Sequence, residues 1–261
     1  MNLQLGRHVY GLAAIAFGII GLVWHEFNTW QQVQTLGNIP HTEVFVSIVA
    51  AFEIVGGIAV QWKKTAKPGA AILFIIYLSF ALLWVPSIIK TPFVYDGWGN
   101  FFEQFSLVSG ALILYSSVGR GNLLAIARIT RVGIIFFGIC LISFTLEQAL
   151  YLSPTAAFVP KWIPFGQMFW AVATTIAFAL AAISFFTGRL ALLTARLVTV
   201  MIICFGVFIW LPILISDPGK MFNWAGNAEN LAICGAAWIV ADFLAQSKLI
   251  QQRRSMDQPR Y

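Results

Sequence analysis

The sequence predicts an all-α, polytopic membrane protein with eight transmembrane helices, arranged as two parallel four-helix repeats. Three observations predict this fold: an apolar composition, eight apolar runs long enough to cross a bilayer, and a similarity between the two halves of the chain. Hydrophobic residues make up 59% of the chain and charged residues 10%, whereas soluble domains contain roughly 45–50% and 25%. The lipid bilayer is therefore the expected surrounding medium.

Each predicted span rests on the length of its apolar run, because about 20 predominantly apolar residues are needed to cross the hydrocarbon. The runs lie at residues 8–29, 43–61, 69–89, 100–118, 130–150, 165–187, 190–215 and 227–246. The first run is longer than the apolar core of a signal peptide. We therefore interpret it as a span.

The two halves of the chain align without a gap over residues 84–113 and 210–239, an offset of 126, and eight of the 30 pairs are identical. The identical pairs are Trp84/Trp210, Pro86/Pro212, Ile89/Ile215, Pro92/Pro218, Trp98/Trp224, Glu103/Glu229, Ala111/Ala237 and Ile113/Ile239. Shared tryptophans, prolines and a glutamate are unexpected by chance in apolar segments. We therefore predict an internal duplication, with an even number of spans per half and the same orientation of both halves.

The predicted domains follow from this duplication. The first four-helix unit covers residues 1–118, a cytoplasmic linker 119–129, the second unit 130–247 and a basic cytoplasmic tail 248–261. Thirteen of the 16 basic residues lie at one set of span ends, and only Lys90, Lys161 and Lys220 lie at the other. Basic residues mark the cytoplasmic side, so both termini are expected in the cytoplasm. The same dispersed charges give no basic face for nucleic acid.

Glu103 and Glu229 are candidate site residues near the start of the fourth and eighth spans. Asn100 precedes Glu103 by three residues, which is the spacing of a helix capping box, and Gly226 holds the matching place before Glu229. We therefore expect both carboxylates to cap helices. The alternative is a shared outer vestibule, because ionisable residues inside a membrane bundle are functional by default.

Most tryptophans, including Trp98 and Trp224, fall near the predicted outer ends of the spans. An interfacial aromatic belt explains this placement, and an outer-facing vestibule is the alternative. Trp98 and Trp224 therefore join the candidate site.

Glu53 is the only acid near the middle of a predicted span that has no acidic counterpart in the second half. A carboxylate at such a depth costs about 2.5–3.5 kcal/mol on insertion scales. One interpretation is a protonated side chain that bonds a hydroxyl group, such as that of Tyr77 or Ser79. The other is a carboxyl that handles protons or binds a ligand.

Two pairs, His25 with Glu26 and His41 with Glu43, flank the connection between the first two spans. Imidazole and carboxylate groups are suitable metal ligands. Exposed interfacial residues are the commoner outcome, so we predict no metal site and keep His25, His41 and Glu43 as the alternative ligands.

Small residues recur at helical spacing along the first span, at Gly11, Ala14, Gly18 and Gly21. Such a stripe predicts a close contact with another helix.

The four-span unit is similar to the DoxX-like family of bacterial membrane proteins. The resemblance is carried by "WHEFNTWQQV" after the first span and by the Trp, Gly-Asn, Glu and "SLVSGALIL" elements of the fourth. It extends along residues 7–118 and, in the second half, chiefly over 205–240. It implies a four-helix fold in a bacterial inner membrane and a link to quinone-dependent or other redox processes of lipophilic molecules.

Three functions follow from these features. The first is a non-enzymatic or accessory protein that binds a quinone or another lipophilic molecule and works beside a membrane redox partner. The second is a transporter of a small solute, coupled to protons. The third is a scaffold for a partner protein.

Overall fold

The computed structural model describes residues 4–26, 41–118 and 123–256, and within these ranges it contains helices and no strand. The helices are α1 (Leu5–Trp24), α2 (Thr42–Ala59), α3 (Ala66–Leu83), α4 (Val85–Lys90), α5 (Tyr95–Ser117), α6 (Leu123–Leu150), α7 (Leu152–Phe158), α8 (Gln167–Thr187), α9 (Ala191–Phe205), a π-helical turn (Gly206–Trp210), α10 (Leu211–Ser216) and α11 (Met221–Met256). The all-α prediction is confirmed.

Seven helical segments in the described part of the chain are long and apolar enough to cross a membrane. They are Leu5–Trp24, Thr42–Ala59, Ala66–Lys90, Leu124–Leu150, Gln167–Thr187, Ala191–Ser216 and Met221–Leu249. The chain is therefore a multi-pass membrane protein. Helix α5 has 23 residues but is not among the seven, because its first half is rich in polar side chains.

Two helices run on into segments that the sequence assigned to connections. The predicted linker at 119–129 is helical from Leu123 onward, and α11 continues through Met256 into the predicted basic tail. Residues 119–122 and 257–261 lie outside the described ranges.

Helices α5 and α11 lie side by side, and the other long helices pack around them. Helix α1 packs between α2 and α11, while α6 packs between α8 and α5. Helix α3 contacts α2 and α5, while α9 contacts α8 and α11. We call α1, α2, α3 and α5 the first group and α6, α8, α9 and α11 the second group, in chain order. The first helix of each group contacts the fourth helix of the other group.

The contacts between side chains fix the directions of the central helices. Gln104 of α5 bonds Glu229 of α11, and a Cβ at Gly110 would lie 2.8 Å from the Cβ of Ala236. Helices α5 and α11 therefore run parallel.

Helix α6 runs antiparallel to α5. Its Thr130, near the beginning, bonds Ser116 near the end of α5, whereas its Glu147 lies against Gly99 near the start of α5. The beginnings of α5 and α11 and the end of α6 consequently share one end of the bundle with α4, α7 and α10. We call this the short-helix end, and the opposite one the terminal end.

The predicted contact along the small-residue stripe of α1 is confirmed, and its partner is α2. A Cβ added at Gly11 would lie 2.6 Å from the Gly57 carbonyl oxygen, and one at Gly18 would lie 2.5 Å from that of Ala50. Any side chain at these two positions would push the helices apart.

The capping prediction is wrong. Helix α5 begins at Tyr95 and α11 at Met221, so Glu103 is the ninth residue of its helix, and its counterpart in α11 is also the ninth. Asn100 lies inside α5, where its amide donates a hydrogen bond of 2.8 Å to the carbonyl oxygen of Asp96. Both glutamates therefore project from helix interiors, about 12 Å from the helix starts at 1.5 Å per residue.

Candidate functional site

A cavity of about 780 Å³ lies among the helices of the second group, towards the short-helix end. Its walls come from α6, α7, α8, α9, the π-helical turn and α11, and Glu103 of α5 reaches it from the first group. Helices α8 and α9 are joined at the terminal end, where Thr194 donates a hydrogen bond of 2.8 Å to the hydroxyl of Ser184. The cavity lies between α8 and α9 towards the short-helix end.

Three carboxyl groups line the cavity: Glu103 of α5, Glu147 of α6 and Glu229 of α11. Helices α5 and α11 are parallel and side by side, which brings Glu103 near Glu229. Glu147 approaches from the antiparallel helix, and its carboxyl lies 2.7 Å from the position of a Cβ at Gly99. Glycine at position 99 therefore leaves the room that the Glu147 carboxyl occupies.

These three acids have no basic partner among the residues that the structure describes. In the described part of the chain, the one salt bridge joins Lys220 and Asp217 at 2.7 Å in the exposed connection before α11. The hydrogen bond and charge of Asp217 raise the pKa of Lys220. Lys220 therefore pairs with Asp217 outside the cavity. Asp96 of α5 lies close enough to act electrostatically on Glu103 and Glu147, so the charged neighbours of the carboxyls are themselves acidic. Gln104 donates a hydrogen bond of 3.0 Å to Glu229.

An amide residue follows each of the three acids directly. Gln104 bonds Glu229, as described above. The Gln148 carbonyl oxygen accepts hydrogen bonds of 3.2 and 3.1 Å from Thr174 and Thr175 of α8. Asn230 donates to the Ile202 carbonyl oxygen of α9 at 3.1 Å. The amides thus tie the helices around the carboxyls together, and Gln148 and Asn230 also line the cavity.

The remaining wall of the cavity is mainly apolar and aromatic. Its rings include Phe144, Phe158, Trp170, Phe178, Phe205 and Trp210. The Trp210 ring lies directly over α11, where a Cβ at Gly226 would be 2.1 Å from it. Glycine at 226 therefore allows Trp210 to form part of the wall, which is the structural role of the residue predicted as a cap.

The π-helical turn at Gly206–Trp210 borders the cavity and interrupts the regular bonding between α9 and α10. Asn227 of α11 donates a hydrogen bond of 2.8 Å to the Trp210 carbonyl oxygen. Single π turns inside α-helices are frequent at functional sites. Hydropathy does not predict this irregularity, because the turn and the helices on both sides of it are equally apolar.

Trp98 and Trp224 lie outside the cavity wall and have a matched local role. The Trp98 indole donates to the Pro92 carbonyl oxygen at 3.1 Å, and that of Trp224 donates to the Pro218 carbonyl oxygen at 2.9 Å. Each bond ties the start of a central helix to the preceding turn.

The predicted histidine pairs do not converge. His25 and Glu26 are exposed beyond the end of α1, and His41 and Glu43 are exposed at the start of α2. Among the described residues, no group of three or more His, Cys, Asp and Glu side chains is arranged to hold a metal ion. Trp30, between these pairs, lies outside the described ranges.

Glu53 lies in α2, apart from the cavity, and is only 2% exposed. Neither of the two hydroxyl groups suggested from the sequence, those of Tyr77 and Ser79, forms a hydrogen bond with Glu53. Ser79 is exposed and donates to the Ile75 carbonyl oxygen at 2.8 Å, while the Tyr77 hydroxyl has no partner among the described residues.

Sequence reasoning did not include Glu147 and Gln148 in the candidate site. One sequence signal could have identified them: the pair Glu-Gln occurs at 103–104 and again at 147–148, and Glu-Asn occurs at 229–230.

Comparisons with models of protein families, with curated proteins and with solved structures found no match to this chain.

Proposed function

We propose that this protein binds a lipophilic molecule from the bilayer, with the polar head group of that molecule at Glu103, Glu147 and Glu229. The observation that carries this proposal is a cavity whose apolar, aromatic walls end at three carboxyl groups from three helices. Its volume of about 780 Å³ lies within the roughly 300–1,000 Å³ of small-molecule sites.

A quinone is the redox-active ligand that suits these walls best. Its isoprenoid tail matches the aromatic surface, and its ring oxygens need hydrogen-bond donors, which protonated carboxyls and the Gln148 amide supply. Reduction of a quinone to a quinol consumes two electrons and two protons. The carboxyls supply a route for the protons, while a separate membrane redox partner supplies the electrons, so the protein acts as an accessory rather than as the complete enzyme.

Equilibrium binding of a short-chain quinone to the purified protein tests this function. We expect Glu229→Gln to raise the dissociation constant by up to about tenfold, because a hydrogen bond between neutral groups is worth roughly 0.5–1.5 kcal/mol. Glu43→Gln is the matched control, since Glu43 is an exposed acid at the same end of the bundle. Equal affinity for both variants, or no binding by the wild type, would refute the proposal, and native mass spectrometry would reveal any other retained lipophilic molecule.

A proton-coupled transporter is the second candidate, and the π-helical turn favours it. Irregular helices beside a central site are typical of transporters, and this turn borders the cavity that the three carboxyls line. Substrate uptake into proteoliposomes, with and without a pH gradient, separates the two functions. Uptake that depends on the gradient and is lost in Glu229→Gln favours transport over binding alone.

The proposed architecture is a DoxX-like unit in tandem duplication, in which α5 is the fourth of eight spans. Three observations support the duplication. Helices α4 and α10 begin and end at residues 126 apart, α5 and α11 begin 126 apart, and α1 and α6 end 126 apart. The two Trp–Pro hydrogen bonds recur at the same offset. The contacts of α1 with α11 have their counterpart in those of α6 with α5.

The proposed location is a bacterial inner membrane with both termini in the cytoplasm. The described basic residues of the predicted cytoplasmic set lie towards the terminal end, including Arg7, Lys64, Arg131 and Lys248. Lys90, Lys161 and Lys220 lie at the short-helix end. The cavity then faces the outer half of the bilayer.

A further inference from the structure

Glu53 and Tyr77 form a second buried polar site, which is separate from the cavity. Glu53 of α2 is 2% exposed and Tyr77 of α3 is 1% exposed. An ionised Glu53 would act electrostatically on the hydroxyls of both Tyr77 and Tyr10 of α1. The Tyr10 and Tyr77 rings meet edge to face, with centroids 6.1 Å apart. Three helices therefore enclose one carboxyl and two phenol groups.

Close helix contacts seal this site on two sides. Ala50, Glu53 and Gly57 share one face of α2, since they are three and four residues apart. Ala50 meets Gly18 and Gly57 meets Gly11, with the α1 and α2 backbones in direct approach at both places. Glu53 also lies about 9 Å from the end of α2 at 1.5 Å per residue, which is too far for its short side chain to reach the membrane surface.

Not every polar atom of the site has a hydrogen-bond partner in the described part of the protein. The Tyr77 hydroxyl is fully buried and has no hydrogen-bond partner among the described residues. No hydrogen bond to the Glu53 carboxyl occurs there either. Tyr10 uses its proton in a bond of 2.7 Å to the Leu107 carbonyl oxygen, which leaves its own oxygen able to accept.

Unpaired polar groups of this kind are unfavourable in an apolar interior, and buried polar groups nearly always have a partner in the protein or in water. A buried water molecule typically makes two to four hydrogen bonds. The carboxyl of Glu53 and the hydroxyls of Tyr77 and Tyr10 offer that number of partners from three directions.

We propose that Glu53, Tyr77 and Tyr10 bind one internal water molecule and that Glu53 carries a proton there. The water accepts the protons of the Tyr77 hydroxyl and of the Glu53 carboxyl O–H, and it donates to the Glu53 carbonyl oxygen and to the Tyr10 oxygen, which makes four hydrogen bonds. The titratable groups that face Glu53 in the described structure are these two tyrosines, one from each helix packed against α2. The site thus holds a proton inside the first group of helices, independently of any ligand in the cavity.

Infrared difference spectroscopy tests the protonated carboxyl and its hydration. The spectrum of the wild type minus that of Glu53→Gln should contain a carboxylic-acid C=O band, because the subtraction removes the bands of the cavity acids. The same subtraction in a Tyr77→Phe background should give a shifted band. Ser79→Ala, on the same helix but exposed, should leave the band in place. Absence of the band, or a band that Tyr77→Phe leaves unchanged, would overturn the proposal.

A double-mutant cycle in detergent provides a second readout. Tyr77→Phe should lower the folding equilibrium constant about fivefold to tenfold, as expected for one lost hydrogen bond. The same change should have almost no effect in a Glu53→Met background, where the carboxyl is absent. If Tyr77→Phe instead stabilises the protein, or has the same effect in both backgrounds, the two groups share no water and the proposal is wrong.

Discussion

The two glutamates that the sequence placed at helix caps show how one residue's role depends on where its helix begins. Asn100 and Glu103 have the spacing of a capping box, but the chain enters α5 five residues earlier, at Tyr95. Asn100 therefore bonds the Asp96 carbonyl oxygen within the helix, and Glu103 is free to face the interior. Local spacing identified an unusual carboxylate and assigned it the wrong function.

The position of the Glu147 carboxyl depends on Gly99, which leaves room for it. The substitution Gly99→Ala tests whether this position matters for binding. The new Cβ would meet the Glu147 carboxyl at 2.7–2.9 Å, so that the carboxyl has to move. Because it lies at the end of a flexible side chain, we expect the unfolding free energy to change by less than about 1 kcal/mol. The quinone dissociation constant should rise about tenfold, which corresponds to 1.4 kcal/mol.

Gly97→Ala is the matched control for this change. A Cβ at Gly97 would lie 3.3 Å from the Ile88 side chain and away from the acids. Quinone affinity should be unaffected in this variant. An unchanged affinity in Gly99→Ala would show that the position of the Glu147 carboxyl is irrelevant to binding.

At the scale of elements, the π-helical turn accounts for a difference between the two groups of helices. From Ala191 to Trp210 the chain is one residue longer than from Ala66 to Trp84, although the two tryptophans align. A π turn is an α-helical turn that accommodates one inserted residue. Asn227 of α11 donates to the carbonyl oxygen of Trp210 at the end of the turn, and Asn230 donates to that of Ile202 before the turn.

Deletion of Val207 should therefore be tolerated, because it converts the π turn into a regular α-helical turn without rotating the flanking segments. We expect the free energy of unfolding to fall by no more than about 1 kcal/mol, as measured by circular dichroism during a denaturant titration in detergent. Quinone binding should weaken, because the turn borders the cavity.

Deletion of Leu197, in the regular part of α9, is the control for this experiment. Removing one residue from a regular helix rotates everything that follows by about 100°, which would misplace the buried face of the helix. This variant should be much less stable than the Val207 deletion. Comparable losses in the two deletions would contradict the interpretation of the turn as an insertion.

At the scale of the whole molecule, the contacts across the two groups decide where the carboxyls meet. Helix α6 packs on α5, and α5 packs on α11, so two consecutive helices and one that is distant in the chain bring their carboxyls to the same end. In the first group, Gly56 and Gly69 bring α2 and α3 together, with Leu73 filling the contact. Helices α8 and α9 contact each other less extensively, which leaves space for the cavity.

The orientation of the whole molecule predicts which end reacts with an impermeant reagent on intact cells. In a background with Cys140, Cys204 and Cys234 replaced by Ala, Lys161→Cys at the short-helix end should be labelled by an impermeant maleimide. Lys64→Cys at the terminal end should react only after permeabilisation, because basic residues mark the cytoplasmic side. The reverse pattern would invert the proposed topology.

Much of the fold could be predicted from the sequence because the bilayer imposes a simple local rule. A membrane helix has to bury its backbone polar groups and present about 20 apolar residues, so hydropathy alone located the seven apolar helical segments. The glycine stripe of α1 was also predictable, since small residues at helical spacing indicate close packing. The start of α5 was harder to predict than this stripe. Its first half is polar, so its first four to five helical residues do not resemble part of a membrane span.

The candidate site was only partly predictable. The sequence by itself determined an all-helical membrane protein, its apolar segments and the unusual carboxylates at Glu103 and Glu229. Only the tertiary structure brought Glu147 to them and left Glu53 with Tyr77 in a separate enclosure. The physical reason is that hydropathy is a property of each segment, whereas a cavity depends on how far apart packed helices lie and on which glycines allow them to touch.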